Sequence, residues 1–333
     1  MTGTFLPQRR AILASLAALV ATTAVPGAYA AESVDAYPSK PIRLIVPYPA
    51  GGGTDMMARL VANHMSQQWK QTVVVENVAG AAGQLGLNTA ARAAPDGYTI
   101  ALGISSFLQA PYLYRNLPYD VHKDFAPISV LAFSTNLWLV PAGSPIQSFQ
   151  QLVDEARKNP GKLSYGSYGA GTSAHLHMER VKRALGIDMT HVPYKGAAPL
   201  LNDTLGGHVN VGVVDVTTAT PHVTSGKVRV LAVDGARRVP TAKEAPLLSE
   251  VGVEGVGSNG WFAFLAPAGT PQPIVDKLST EINRIIRTPE MQEAFQGLSL
   301  MPGGTTSQEM AARMQKEGPM WGQMIRDINL TLD

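Results

Sequence analysis

Apolar positions along the chain alternate between two periods. Ile42 to Tyr48 is a short apolar run of strand type. Met57, Leu60, Val61, Met65 and Trp69 then fall on one face at helical spacing, within Met56 to Trp69. Thr72 to Glu76 is β-branched and reads as a strand. A Gly/Ala-rich loop from Ala79 to Gly83 leads into a helix ending near Ala94. Pro95-Asp96-Gly97 is a turn, and Tyr98 to Leu102 is the next strand. This β-α-β-α-β order predicts a parallel sheet flanked by helices.

The pattern then repeats. Pro127 to Val140 is a long β-rich stretch, and Ser148-x-x-Gln151 is a capping box that opens a helix through Lys158, stopped by Pro160-Gly161. Leu163 to Tyr168 reads as a strand. Ala174, Met178, Val181 and Leu185 align along a helix from Ala174 to Leu185. Strands are expected at Met189 to Tyr194, Val209 to Val214 and Val228 to Val233, and helices at Pro271 to Arg287 and Ser307 to Ile328. The fold class is therefore α/β with two lobes, each a sheet flanked by helices, and a cleft between them that is a natural ligand site. The chain is expected to cross near Leu139 to Ser144 and return near Trp261 to Pro267. Lobe one would comprise 31–140 and 262–333, and lobe two 141–261.

A chain of 333 residues exceeds what one core usually serves, and 45% hydrophobic against 16% charged residues supplies enough apolar surface for two. Residues 1–30 read as an export signal peptide. Arg9 and Arg10 precede an apolar stretch, Ala11 to Val25, and Ala28-Tyr29-Ala30 gives the small-x-small cleavage pattern. The twin arginines leave the Sec and Tat routes both open. Cleavage after Ala30 removes Arg9 and Arg10, so the 27 Lys+Arg fall to 25 against 25 Asp+Glu. A neutral mature chain offers no global field for nucleic acid. An anion would have to be held by local dipoles. Without cysteine there is neither a disulfide nor a lipoprotein anchor. The expected setting is outside the cytoplasm.

Two loops are built alike. The strand ending at Tyr48 runs into Pro49-Ala50-Gly51-Gly52-Gly53-Thr54-Asp55 and a helix. The strand ending at Tyr168 runs into Gly169-Ala170-Gly171-Thr172-Ser173 and a helix. Each sets glycines and hydroxyls at the amino end of a helix, where free backbone N–H groups and the helix dipole favour an anion. One such loop is an ordinary turn, whereas two, one per lobe, point to an anion held between them. Asp55 suits helix capping and the orientation of backbone groups. Lys195 and Arg43 are further cationic positions, read as surface or ion-paired residues.

Tyr48-Pro-Ala-Gly-Gly-Gly-Thr-Asp55 resembles the signature of the Bug (TctC-like) family of periplasmic solute-binding proteins of tripartite tricarboxylate transporters. The resemblance continues through Val75-Glu-Asn-Val-Ala-Gly80, Pro95-Asp-Gly-Tyr98, Asn116-Leu-Pro-Tyr119, His191-Val-Pro-Tyr-Lys-Gly196 and Phe264-Leu-Ala-Pro-Ala-Gly-Thr-Pro271. It covers essentially the whole mature chain. It implies a two-lobed Venus-flytrap fold that closes on a small carboxylate and presents it to membrane permease subunits, with no cofactor, metal or catalysis. The matching site positions are Tyr48, Ala50, Gly51, Gly52, Gly53, Thr54 and Asp55 in the first loop. In the second they are Gly169, Ala170, Gly171, Thr172, Ser173 and His175. Asp215 matches an acidic cleft position and is also placed to cap a helix before Thr217, and Tyr168 and Ser106 are further candidate site residues. This sequence departs from the pattern at Ser105-Ser106-Phe107-Leu108-Gln109 and at the bulky Tyr168. With Tyr48 and Trp261 nearby, an aromatic acid joins aliphatic di- and tricarboxylates as an expected ligand.

Other classes find less support. Gly169-x-Gly171-x-x-Ala174 is similar to a dinucleotide fingerprint, but Asp188 begins the next strand rather than ending it. A Gly-x-Ser-x-Gly elbow is absent, which leaves an exported hydrolase without a motif. His175 and His177, two apart on a helix, point to different sides and make no metal pair. A sensor that presents its ligand to a signalling partner shares every feature of a transport protein.

Overall fold

The computed structural model describes residues 33–256 and 260–332; the expected signal peptide lies outside them. β1 (Ile42–Val46), α1 (Gly53–Trp69), β2 (Val73–Asn77), α2 (Gln84–Ala91), β3 (Thr99–Ile104) and α3 (Ser106–Leu113) lead to the long β4 (Phe125–Ser134). β1 pairs in parallel with β2 and β3. Its side chains are almost all buried because helices cover both faces.

β5 (Asn136–Pro141) belongs to a second sheet, with α4 (Phe149–Lys158), β6 (Ser164–Ser167), α5 (Ser173–Leu185), β7 (Thr190–Pro193), α6 (Ala197–Leu205), β8 (Val211–Asp215), α7 (Val216–Thr224) and β9 (Val228–Val233). Half of the capping box expected at α4 forms: Gln151 N donates to Ser148 Oγ at 3.2 Å, but Gln151 Oε1 accepts from Gln147 N at 2.7 Å, one residue before the cap, rather than from Ser148 N. The chain returns to the first sheet with β10 (Gly260–Pro267). It ends with α8 (Gln272–Ile286), α9 (Pro289–Gly297), the short β11 (Met301–Pro302) and α10 (Ser307–Ile328).

The strand orders are β11-β4-β10-β3-β1-β2 and β7-β6-β8-β5-β9. Each sheet therefore takes one antiparallel strand from a crossover: β10 lies between β3 and β4, and β5 between β8 and β9. The first passage between sheets falls at Thr135, earlier than the Leu139 to Ser144 expected from sequence. Ser134-Thr135-Asn136 is a polar break at this point, but it is short and flanked on both sides by apolar strand residues, so Pro127 to Val140 read as one β-rich stretch. Trp261, expected at the end of lobe two, lies in β10 of the first sheet.

A buried carboxylate ties the crossover segments together. Asp234, just past β9, accepts from Asn136 N and Asn136 Nδ2 (2.6 Å each), from His177 Nδ1 (2.7 Å) and from the Thr135 hydroxyl. The His177 ring stacks on Trp321 of α10, centroids 5.7 Å apart, which joins the second sheet's α5 to the first sheet's last helix. Among the described residues no helix is long and apolar enough to cross a membrane.

Candidate functional site

The parallel strands β1, β3, β6, β7 and β8 all end at the space between the sheets, as ligand sites of open α/β sheets do. The following helices therefore begin there. Gly53 and Thr54 (α1), Ser105 (before α3), Ser173 (α5), Gly196 and Ala197 (α6) and Asp215 (before α7) all line one cavity. Each helix start carries N–H groups without intrahelical partners and the positive end of a dipole. Tyr48, Tyr168, Trp261 and Phe262 give the wall its apolar part, and Ile104, Ser134 and Asn136 complete much of it. No Lys, Arg or His is among the lining residues.

The walls are nearly in contact, leaving about 40 Å³ between them. Gly53 N donates across the cleft to Thr218 Oγ1 at 2.8 Å. A Cβ built on Gly53 would lie 2.4 Å from Asp215 Oδ1, and one on Gly196 2.7 Å from Pro49 Cδ, so these glycines are where the two sides meet. Gly196 also has φ +139°, a backbone that side-chain-bearing residues rarely adopt. A larger open groove of about 1070 Å³ runs along α10, where Arg313 and Lys316 alternate with Glu309, Glu317 and Asp327. Its mixed charge gives it no anion preference.

Asp215 faces the cavity and also caps α7. Its Oδ1 accepts from Thr218 N (3.0 Å) and its Oδ2 from Thr218 Oγ1 (2.8 Å). Burial pushes this carboxyl up from its ordinary range, and the Thr218 amide and hydroxyl offset that only in part. Both readings of this residue from sequence, cap and cleft acid, describe the same geometry.

Asp55 stands behind the loop rather than in the cavity wall. Its carboxylate accepts from Gly51 N, Asn77 Nδ2 and Arg59 Nε, each at 3.0 Å. Burial works upward on this group, but the bonds from Arg59, Gly51 and Asn77 outweigh it and hold the carboxyl below its usual range. The helix N-cap is Gly52, not Asp55.

His175 is likewise a support. Its Nδ1 accepts from Gly171 N at 3.0 Å, which puts any ring proton on Nε2, and its ring stacks on His191 with centroids 3.9 Å apart. Of the remaining sequence candidates, Ala50 and Gly51 are exposed at the rim. Gly169 packs near Ala82, and Ala170 accepts from the Tyr114 hydroxyl at 3.3 Å. Thr172 Oγ1 bonds Gly169 O at 2.7 Å, and Ser106 Oγ pairs with Tyr48 Oη at 3.0 Å. Gly52, Gly53, Thr54, Tyr48, Tyr168 and Ser173 do line the cavity. Lys195 is exposed, and Arg43 pairs with Glu76 at 2.8 Å.

Sequence reasoning passed over Gly196 and Ala197, Ser105, Asn136 and Thr218. For Gly196 a signal existed: Tyr194-Lys195-Gly196-Ala197 repeats the strand, glycine, helix order of the other two loops. For Asn136 and Thr218 there was none, because their places depend on how the two sheets face each other.

The profile of the TctC family, described as the tripartite tricarboxylate transporter family receptor, matches residues 57–330. The chain belongs to this family, as the motif resemblance implied, and its two-sheet architecture is that of periplasmic binding proteins. It is 34% identical over 323 residues to the UPF0065 protein in the tcbD-tcbE intergenic region of Pseudomonas sp. (strain P51), covering 97% of this chain and 95% of that one. Among solved structures, R. palustris Rpa4515 with adipate superposes with a TM-score of 0.85 at 33% identity over 89% of this chain and 99% of that one. The periplasmic binding protein BugD gives 0.84 at 34% identity, with 89% and 99% covered.

Proposed function

We propose that this protein is an exported, monomeric solute-binding protein that captures a small carboxylate between its lobes and delivers it to the membrane permease of a tripartite tricarboxylate transporter, without catalysing a reaction. One observation carries the reading: five helix N-termini, from both sheets, converge on a cavity whose lining includes no cationic side chain. Such a site suits an anion that must be held and then released, since distributed dipoles bind without a strong single ion pair. The bound adipate of a 33% identical relative supports the carboxylate class. In this mechanism the acid docks first on the Gly52–Thr54 side, and the second lobe then closes. Closure expels water and strengthens each N–H bond to the ligand, so the ligand stabilises the closed form by its differential affinity. The site is assigned to Tyr48, Gly52, Gly53, Thr54, Tyr168, Ser173, Gly196 and Asp215, with Asp55 and His175 holding the loops.

The test is thermal-shift screening of residues 31–333 against aliphatic di- and tricarboxylates, hydroxy and amino acids, benzoates and nicotinate. An acid at a hundred times its Kd stabilises by about 2.7 kcal/mol, a rise of several degrees in Tm. If no acid moves Tm, and mass spectrometry of the purified protein finds no carboxylate carried through, the reading is wrong.

A further inference from the structure

The hydrogen bonds behind the cavity wall fix which of its side chains can donate and which can only accept. Asn136 Nδ2 lies 2.6 Å from the Asp234 carboxylate, so the amide nitrogen must face Asp234 and Asn136 Oδ1 must face Tyr168. Tyr168 then spends its single proton on Asn136 Oδ1, at 3.0 Å. Ser173 Oγ sits 2.8 Å from Tyr168 Oη, so Ser173 spends its proton there. What Ser173 offers the cavity is a lone pair. The same logic holds across the wall. Gly53 N can only donate to Thr218 Oγ1, so the Thr218 hydroxyl proton goes to Asp215 Oδ2, which must accept. Ser173 and Asp215 are thus two acceptors on one wall of a cavity otherwise furnished with backbone donors.

We infer that the ligand carries a hydrogen-bond donor, a hydroxyl or an ammonium, on the carbon next to its bound carboxylate, and that Ser173 Oγ and Asp215 are its acceptors, both for an ammonium and one of the two for a hydroxyl. This rests on the carboxylate-binding reading above and narrows it. Adjacency follows from Ser173 itself, whose N–H is the first of α5 and whose Oγ is the acceptor, so the groups they bind lie on neighbouring ligand atoms. A plain carboxylate would instead set its charge beside Asp215 with no cationic side chain in the lining to compensate. An ammonium removes that conflict and satisfies both acceptors, and a hydroxyl satisfies one of them. The inference separates this chain from its relative with adipate, an acid that has no such group.

Calorimetry with matched acids tests it. Succinate, malate and aspartate share one skeleton and differ only in hydrogen, hydroxyl or ammonium at one carbon. Propionate with lactate, and phenylacetate with mandelate, repeat the comparison on a shorter and an aromatic frame. On whichever skeleton binds, the donor-bearing acid should bind about tenfold tighter or more, because a buried acceptor left unpaired is costly. Malate and aspartate together tell hydroxyl from ammonium. Ser173→Ala and Asp215→Asn, the latter keeping a good helix cap, should erase most of that ratio and change the affinity for the plain acid far less. If succinate, propionate or phenylacetate binds as tightly as its donor-bearing counterpart, or if both variants keep the ratio, the inference falls and carboxylate binding stands. If no acid of either kind binds, the broader reading falls and takes this one with it.

Discussion

Gly53 and Thr218 meet across the cleft through a direct hydrogen bond of 2.8 Å, backbone amide to hydroxyl. The first N–H of α1 is therefore a lobe-to-lobe contact, while Gly52 and Thr54 beside it line the cavity. Closure and ligand capture use adjacent groups of one helix start. Gly53→Ala separates them. Its Cβ would lie 2.4 Å from Asp215 Oδ1 and 2.9 Å from Thr217 Cβ, contacts that exist only when the lobes are together. Alanine is also the better helix former. The expected outcome is a ligand-free Tm near that of the native chain, affinity lowered by about 100-fold or more, about 2.7 kcal/mol, and loss of ligand-induced compaction in small-angle X-ray scattering. Normal compaction in the variant would contradict the geometry.

Thr218→Val keeps the shape of the side chain and removes the hydroxyl. Gly53 N loses its acceptor and Asp215 Oδ2 loses a donor, while the cap from Asp215 Oδ1 to the residue 218 amide survives. One cross-cleft bond of this kind is worth about 1 kcal/mol. Affinity should fall roughly fivefold, chiefly through faster release in stopped-flow measurements. Thr218→Ser should restore most of it.

Asp55→Ala leaves Gly51 N, Asn77 Nδ2 and Arg59 without their shared acceptor. The loop that offers Gly52, Gly53 and Thr54 would lose its rear support, at about 1–3 kcal/mol. Binding should weaken by about one to two powers of ten and Tm should fall. Asp55→Asn, which retains one acceptor oxygen, should fall between the native chain and the alanine variant. The folded-state pKa of Asp55 is depressed, so its contribution is present above the ordinary carboxylate range. It is lost only as pH falls through the lower folded value.

Much of this was legible from residue order. The alternation of periods revealed the two sheets and most helices, because each element buries one face and its spacing records that. The glycine loops before α1 and α5 were legible for a similar local reason, since a helix start following a strand needs those residue types. The passage at Thr135 was missed although Ser134, Thr135 and Asn136 mark it, because all three are buried and the apolar run resumes at once with Leu137, Trp138 and Leu139, so two strands read as one. Asp55 and His175 sit in the right motifs but serve behind the wall, a distinction that depends on side-chain direction and not on spacing. Thr218 could not be read at all, since its partner lies 165 residues away on the opposite lobe.

Acid should weaken the second loop before it weakens the first. His175 and His191 are stacked, and burial drives both pKa values down, to about 4 for His175, helped by the charge of Lys182, and to about 3 for His191, helped by the charges of His175 and Lys182 against Glu179. Protonated His175 would also lose the bond it accepts from Gly171 N. In the unfolded chain histidine takes up its proton near about pH 6.5, so below that value the unfolded state binds more protons than the folded one. Stability must then fall as pH is lowered from about 6.5 and level off only below the folded values. For His175 the full effect is on the order of 3 kcal/mol. Urea unfolding at steps between pH 8 and pH 4 should show a plateau above about pH 7 and a steady decline beneath it. His175→Asn, which keeps an acceptor near the Nδ1 position and cannot titrate there, should flatten part of that decline. A variant whose stability follows the native pH profile unchanged would show that His175 does not carry the acid sensitivity of this loop.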